Sequence, residues 1–299
     1  MSLSIDQIII YPIKSLGGVS VYEAIVEVGG LQHDRRYMLV EPSFDGRSGT
    51  FITQRTVHAM ALIEVAVNVP ANELTVWHRH NTADVLRLPL VPPPSAEEPL
   101  LVTIWDSEDV PAHVVSAEAD DWFSRVIGKP CRLVYMPDTT RRSITSSHTR
   151  RDEVADPVVS FADGFPVLLI TQSSLDELNR RAVESVNEPL TMARFRPNLI
   201  IEGLCWPHDE DTWGTVQLGE AVFYGVKPCV RCVLTTIDPE TGEQGKEPLR
   251  TLATYRSHEN KILFGENFMP DRTSAGTTIN VGEIVRVIDR KEPRLPVGF

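Results

Sequence analysis

Apolar and polar residues alternate with a period of two through the first third of the chain. Residues 4–30 (SIDQIIIYPIKS, a short break, then VSVYEAIVEVGG) change phase only near Pro and Gly, and RRYMLVE at 35–41 repeats the pattern. The turn cluster SFDGRSGT at 43–50 leads into FITQR, after which ALIEVAVNV, ELTVWH and DVLRLPL carry the alternation to residue 90. Period-2 stretches bounded by Gly, Pro, Asn and Asp predict half-buried strands joined by turns. VPPPSAEEP at 91–99 is a long hairpin loop or a linker, and the loop is favoured because LLVTIWDSEDVPAHVV at 100–115 resumes the strand pattern.

The period then changes. Trp122, Phe123, Val126 and Ile127 fall on one face of a helix predicted over 118–128, with Gly128 as its stop. Strand CRLVYM follows. Residues 138–153, DTTRRSITSSHTRRDE, have no periodicity and read as a surface loop, or else as an arginine-bearing docking loop for an acidic partner. FADGFPVLLIT at 161–171 is a turn and a buried strand. Ser174 stands three residues before Glu177, a capping-box spacing that predicts a helix over LDELNRRAVES. Strands return from residue 194: NLIIEG, TVQLG, AVFYGVK, CVLTTID and INVGEIVRVID. The expected class is mostly β with α decoration, a β-barrel-like core, and no repeat is visible.

Composition narrows the function classes. The chain has 29 Lys and Arg against 41 Asp and Glu, a net charge of −12. Such a surface repels nucleic acid and anionic lipid, so an anionic ligand needs a local basic cluster. No apolar run is long enough to span a bilayer, and the N-terminus lacks the basic and apolar regions of a signal peptide. Four cysteines in 299 residues do not make a disulfide framework. A reducing, cytoplasmic location is expected. GxGxxG, GxxxxGK[ST] and GxSxG are absent, which removes the simplest Rossmann, P-loop and hydrolase readings.

Cys229 and Cys232 form a CxxC with four readings. Structural zinc needs a second ligand pair, and only His78 and His80 offer one. A thioredoxin-type site needs a helix after the first cysteine, where the chain has β-branched residues. A soft-metal ligand or reactive thiolate suits the flanking Lys227 and Arg231. Two inert buried thiols complete the set. Trp206 and Trp213 bracket HDEDT, read as a solvated turn between packed indoles or as exposed acids facing a partner. Asp238 reads as a turn residue. Lys14, Arg35, Arg194 and Arg196 beside apolar runs can pair internally or together form an anion pocket.

YPIKS, GLQHDRRYMLV, FITQR, FADGFPVLLIT, RFRPN, PCVRCVLTTIDPETG, EPLRTL and FGEN occur in that order. This ordered set, from about residue 5 to 288, resembles the MOSC proteins, in the branch of the amidoxime-reducing components and the YcbX-type proteins. The resemblance implies a MOSC N-terminal β-barrel domain over 1–115 and a MOSC domain over 116–299. It implies a molybdopterin-type molybdenum cofactor held between them, with Cys232 as metal ligand and Cys229 in support. Lys14, Ser15 and Arg35, with Arg196 and Asn198, match the family's cofactor-binding positions. Arg231 adjoins the ligand. Thr171, Gln172 and Ser173 match a further cofactor-facing loop, and Asn267 lies near a loop closing over the pterin. The implied activity is reduction of N-hydroxylated small molecules such as amidoximes and hydroxylamines. No ferredoxin-type cysteine set is present in these residues, so electrons are expected from a separate ferredoxin- or cytochrome b5-type protein. A carrier of the cofactor or of sulfur, without turnover, is the alternative.

Overall fold

Both ends of the chain contribute to the largest sheet. The computed structural model describes residues 2–95, 97–144, 156–184, 186 and 188–295. Strands Val19–Val21, Ser4–Ile10, Leu199–Glu202, Val167–Thr171, Lys261–Pro270, Ala221–Arg231, Trp213–Leu218 and Val285–Arg290 lie side by side in that order. Ser257–His258 pairs beside Lys261–Pro270. The N-terminal strand runs antiparallel to Leu199–Glu202, and the latter runs parallel to Val167–Thr171. Parallel neighbours need a crossover, here the helix Gln172–Ala182.

Successive residues of these central strands enter different cores, which explains their unbroken apolar runs. Leu169, Leu199 and Ile201 join Ile5, Ile8, Phe223 and Phe268 on one face. Ile170 and Ile200 join Leu175, Leu178 and Ala182 of the crossover helix on the other.

Tyr37–Pro42, Ser48–Phe51, Leu100–Ile104, Ser107–Val114 and Arg132–Tyr135 close into a five-stranded barrel. Its filling is Met38, Val40, Val102, Ile104, Ala112 and Val134. Closure leaves no strand edge exposed. Residues 91–99 join two different sheets and so form a connection, not a hairpin. The mostly β class, with a closed barrel and few helices, is as expected.

The first helix spans Ala117–Ile127. Ser116 caps it by accepting the Ala119 amide at 3.1 Å, and Gly128 ends it at φ 68°. Two expectations are corrected. The second helix begins at Gln172, not after Ser174: Thr171 is its N-cap, and Ser174 and Glu177 are buried inside it. VLTT after Cys232 is a 3-10 turn, not a strand. There Thr235 Oγ1 donates to Cys232 O and Thr236 Oγ1 to Val233 O, so the hydroxyls satisfy the backbone locally. Of the loop 138–153, residues 145–153 lie outside the described residues. No helix of the described residues is long and apolar enough to cross a membrane.

Candidate functional site

A cleft of about 140 Å³ opens where the barrel meets the large sheet. Lys14, Ser15, Arg35, Arg196, Asn198, Arg231, Cys232 and Asn267 all line it, together with Cys229. Residues from five separate stretches of sequence thus converge.

Three of them hold a left-handed backbone: Ser15 at φ 66°, Arg35 at φ 52° and Arg196 at φ 56°. Each such non-glycine residue costs roughly 1–3 kcal/mol and persists only where its surroundings over-determine it, typically at ligand clamps. The surroundings here are backbone hydrogen bonds. Arg35 N donates to Tyr11 O and Phe161 N to Arg35 O, while Lys14 N donates to Tyr37 O. Tyr11 anchors the cluster. Its ring lies 4.6 Å from the Arg35 guanidinium and 4.3 Å from that of Arg196, and its hydroxyl donates to Pro197 O. Burial pushes its pKa up to about 12 against the pull of both arginines, so it stays neutral.

The cations differ in how far they are committed. Lys14 Nζ donates to Phe161 O at 2.7 Å and pairs with Asp163. Burial lowers the Lys14 pKa to about 8, with Asp163 opposing. Burial alone would raise the Asp163 carboxyl, but Lys14 holds it well below the usual range. Arg35 Nη1 pairs with Asp34 and donates to Asn198 Oδ1 at 3.0 Å. Asn198 Oδ1 also accepts the Leu168 amide, and Asn198 Nδ2 donates to Ile9 O, so this side chain ties the first strand to the cleft floor. Asn267 Nδ2 donates to Lys227 O.

Arg196 and Arg231 stand out. Arg196 Nη2 and Arg231 Nη2 are buried without a hydrogen-bond partner. Arg231 spends its other nitrogens on Phe264 O and Phe195 O. Burial lowers the Arg196 pKa to about 10, which still leaves it charged. Buried guanidinium groups beside a cleft are stabilised by an anion, most of all one with several oxygens. A phosphate-ended, polar pterin carrying a metal that takes a thiolate fits this donor set, since Cys232 lies in the same cleft.

Burial pushes the Cys229 thiol up, with Arg231 opposing. His78 and His80 meet edge to face, ring centroids 5.6 Å apart, and do not line the cleft. Among the described residues no group of three or more His, Cys, Asp and Glu is placed to hold a metal ion.

Thr171 and Ser173 stand apart from the cleft. Thr171 Oγ1 donates to Glu210 Oε2 at 2.8 Å, and Ser173 Oγ sits 3.2 Å from Cys205 Sγ. They border a buried acidic cluster in HDEDT, which corrects the solvated-turn reading. Asp209, Glu210 and Asp211 are buried, Trp213 is fully buried, and Trp206 is 68% exposed. Arg194 pairs with Asp238, which caps its own turn through the Glu240 and Thr241 amides.

Sequence reasoning missed Tyr11, Asp163 and Arg142. Arg142 is buried and donates to the carbonyls of Ser160, Ala162 and Asp163. It thereby shapes the turn that offers Asp163 to Lys14, and is not a free surface charge. The only local signal for Asp163 was the Ala-Asp-Gly turn before a buried strand.

Residues 2–130 match the family described as MOSC N-terminal beta barrel domain, and residues 156–286 the MOSC domain. Molybdenum cofactor sulfurase of Oryza sativa subsp. japonica is 32% identical over 304 residues, 95% of this chain. The chain spans 35% of that relative's length. Mitochondrial amidoxime-reducing component 1 of Mus musculus is 32% identical over 303 residues, 95% of this chain and 82% of that protein. The Homo sapiens protein of the same name is 29% identical, over 95% of this chain and 83% of its own length.

Proposed function

This chain belongs to the MOSC-domain family, and on that footing we propose that it is a molybdenum-cofactor-dependent oxidoreductase that reduces N-hydroxylated small molecules. The observation that carries the reading is the pair of unpartnered guanidinium edges, Arg196 and Arg231, in one cleft with Cys232. When bound, the cofactor supplies the two-electron exchange that removes oxygen from nitrogen. Cys232 would be its protein ligand to the metal. Arg196 and Arg231 would hold its phosphate end, with Lys14 and Arg35 adding positive potential. Ser15 and Asn267 line the wall on which the pterin edges would find hydrogen-bond partners. Tyr11 and Asn198 keep the two arginine-bearing turns in place. Thr171 and Ser173 would act only through the start of the helix at Gln172.

The substrates would be amidoximes, hydroxylamines and related compounds. Reduction consumes two electrons and two protons per N–OH and releases water. Within these residues there is no haem CxxCH, iron–sulfur cysteine set or nicotinamide fingerprint, so a separate ferredoxin- or cytochrome b5-type protein would deliver the electrons. The name of the rice relative favours a second reading, a cofactor or sulfur carrier without turnover.

The test is metal analysis of protein made with ample cofactor, followed by reduction of benzamidoxime with a low-potential dye. Stoichiometric molybdenum and dye-driven turnover, with none from NADH or NADPH alone, is the expected result. Bound molybdenum without turnover would favour the carrier, and one zinc per chain would overturn both readings.

A further inference from the structure

Beside the cleft, three cations sit together without carboxylate partners. Lys227 lies within strand Ala221–Arg231, Lys261 opens strand Lys261–Pro270, and Arg294 is in the C-terminal segment. The register places Arg231 opposite Ile262, next to Lys261, and Lys227 opposite Asn267 of the cleft wall. Lys227 Nζ lies 5.1 Å from the ring centre of Phe165, another cleft residue. Burial, then the nearby Arg294 and Lys261, lower the Lys227 pKa, with Cys229 and the buried Glu266 opposing. Among the described residues none of them has an Asp or Glu within ion-pair distance, in a chain with 41 acids to 29 bases. The acids closest in sequence are otherwise disposed. Glu266 is buried against Lys291, and Glu259 is exposed in the hairpin turn beside His258; Glu292 is exposed.

Two apolar side chains face solvent in the same place. Val230, between Cys229 and Arg231, is 46% exposed, and Val233, next to Cys232, is 37% exposed. An apolar pair next to the cysteines in sequence, with a rim of one charge sign, suits a short-lived encounter. Redox complexes occupy small interfaces, below about 1,200 Å². Charge sets their rate of formation, while a small apolar centre lets them separate again.

We propose that Val230 and Val233, rimmed by Lys227, Lys261 and Arg294, form the docking face for a small electron-carrier protein with an acidic surface around its cofactor edge. The proposal rests on the N-reductase reading and names its partner. Each docking oxidises one carrier by one electron. Two dockings and two protons from solvent convert R–NHOH to R–NH2 and water.

The test uses holoprotein with Lys261→Glu and Arg294→Glu combined, both exposed and outside the cleft. Probes are a reduced acidic [2Fe–2S] ferredoxin and a reduced cytochrome b5 haem domain, with basic cytochrome c as the control. At low ionic strength, the second-order rate of reduction of the site by an acidic probe should fall at least about tenfold in the variant. Dye-driven turnover and the urea midpoint should not change. NMR of a 15N-labelled probe should show its acidic face perturbed by wild-type protein, less so as salt rises, and not by the variant. This second readout needs no turnover, so it separates failure of the docking face from failure of the N-reductase reading. Equal rates in wild type and variant, a salt-insensitive rate, or an equal response to cytochrome c would overturn the proposal.

Discussion

The cleft and the buried acidic cluster are two charged regions on opposite faces of the same strands. Leu168 faces the cleft, while Thr171, three residues on, binds Glu210 of the cluster. Asn267 lines the cleft, while its neighbour Glu266 pairs with Lys291. Both regions shift pKa values strongly, yet their charges are arranged for different ends. In the cluster most acids have a cation: Asp209 has Arg290, Asp211 has Arg256, and Glu266 has Lys291. Glu210 takes two hydroxyls instead. In the cleft, Arg196 has no carboxylate, and the backbone around it is held left-handed. Perturbed titration alone does not mark a binding site, because internal ion-pair networks produce it too. An arginine with no carboxylate partner, on a left-handed backbone and lining a cleft, does mark one.

The most severe test of that contrast is at the thiols. Cys232→Ala should abolish molybdenum retention and dye-driven reduction, whereas Cys229→Ala should keep much of both, as metal content and turnover would show. Equal loss in the two variants would make the pair, and not one ligand, the functional unit.

Next in size, Arg256→Met strands the buried Asp211 carboxylate, whose side chain is 0% exposed. Breaking such a pair costs about 3–5 kcal/mol, readable as a fall in the urea midpoint. Arg196→Ala should spare stability and cost binding. Its removal relieves an unpaired buried charge and leaves the midpoint near wild type. Anion and cofactor retention should weaken by on the order of tenfold to a hundredfold, the worth of a charge-assisted contact. A large loss of stability in Arg196→Ala would make it a structural partner like Arg256.

A smaller effect is expected with pH. Burial, then the neighbouring Asp211, raise the Glu210 pKa to about 7. The folded state therefore binds more protons than the unfolded state between the ordinary carboxylate range and pH 7, and stability falls as pH rises through that window. One proton gives at most about 1.4 kcal/mol per pH unit. Glu210→Gln should flatten this slope in urea unfolding between pH 5 and 8; an unchanged slope would assign the linkage elsewhere.

The smallest effect concerns Lys14. Its pKa near 8 means that the positive potential of the cleft declines as pH climbs past that value. Affinity of cofactor-free protein for inorganic phosphate, measured by calorimetry, should taper above pH 8 by less than Arg196→Ala costs. A bound anion favours the ammonium and moves the taper upward.

How much of this was legible depended on how local each cause is. The helix Ala117–Ile127 has its cap, its buried face and its left-handed glycine within thirteen residues, 116–128, and it formed where the pattern put it. The start of the helix at Gln172 was misread because Ser174 looks like a cap in sequence. Its hydroxyl instead binds Glu210, from 36 residues away. HDEDT looked solvated because its cations, Arg256, Lys291 and Arg290, come from distant strands and segments. Lys14, Arg35, Arg196, Arg231 and Cys232 were legible by resemblance, whereas Tyr11 and Arg142, which place them, were not.

The sequence by itself determined the strand periodicity, the first helix, the mostly β class, the acidic surplus and the presence of a CxxC among β-branched residues. These follow from neighbours within a few residues, where the period and the turn chemistry act. The tertiary structure decided which arginines remain unpaired, which acids are buried and which side of each strand meets the cleft. Pairing of charges is a property of residues up to 149 positions apart, such as Lys14 and Asp163. Burial makes each unpaired charge costly enough to mark a site, and only the folded chain sets both.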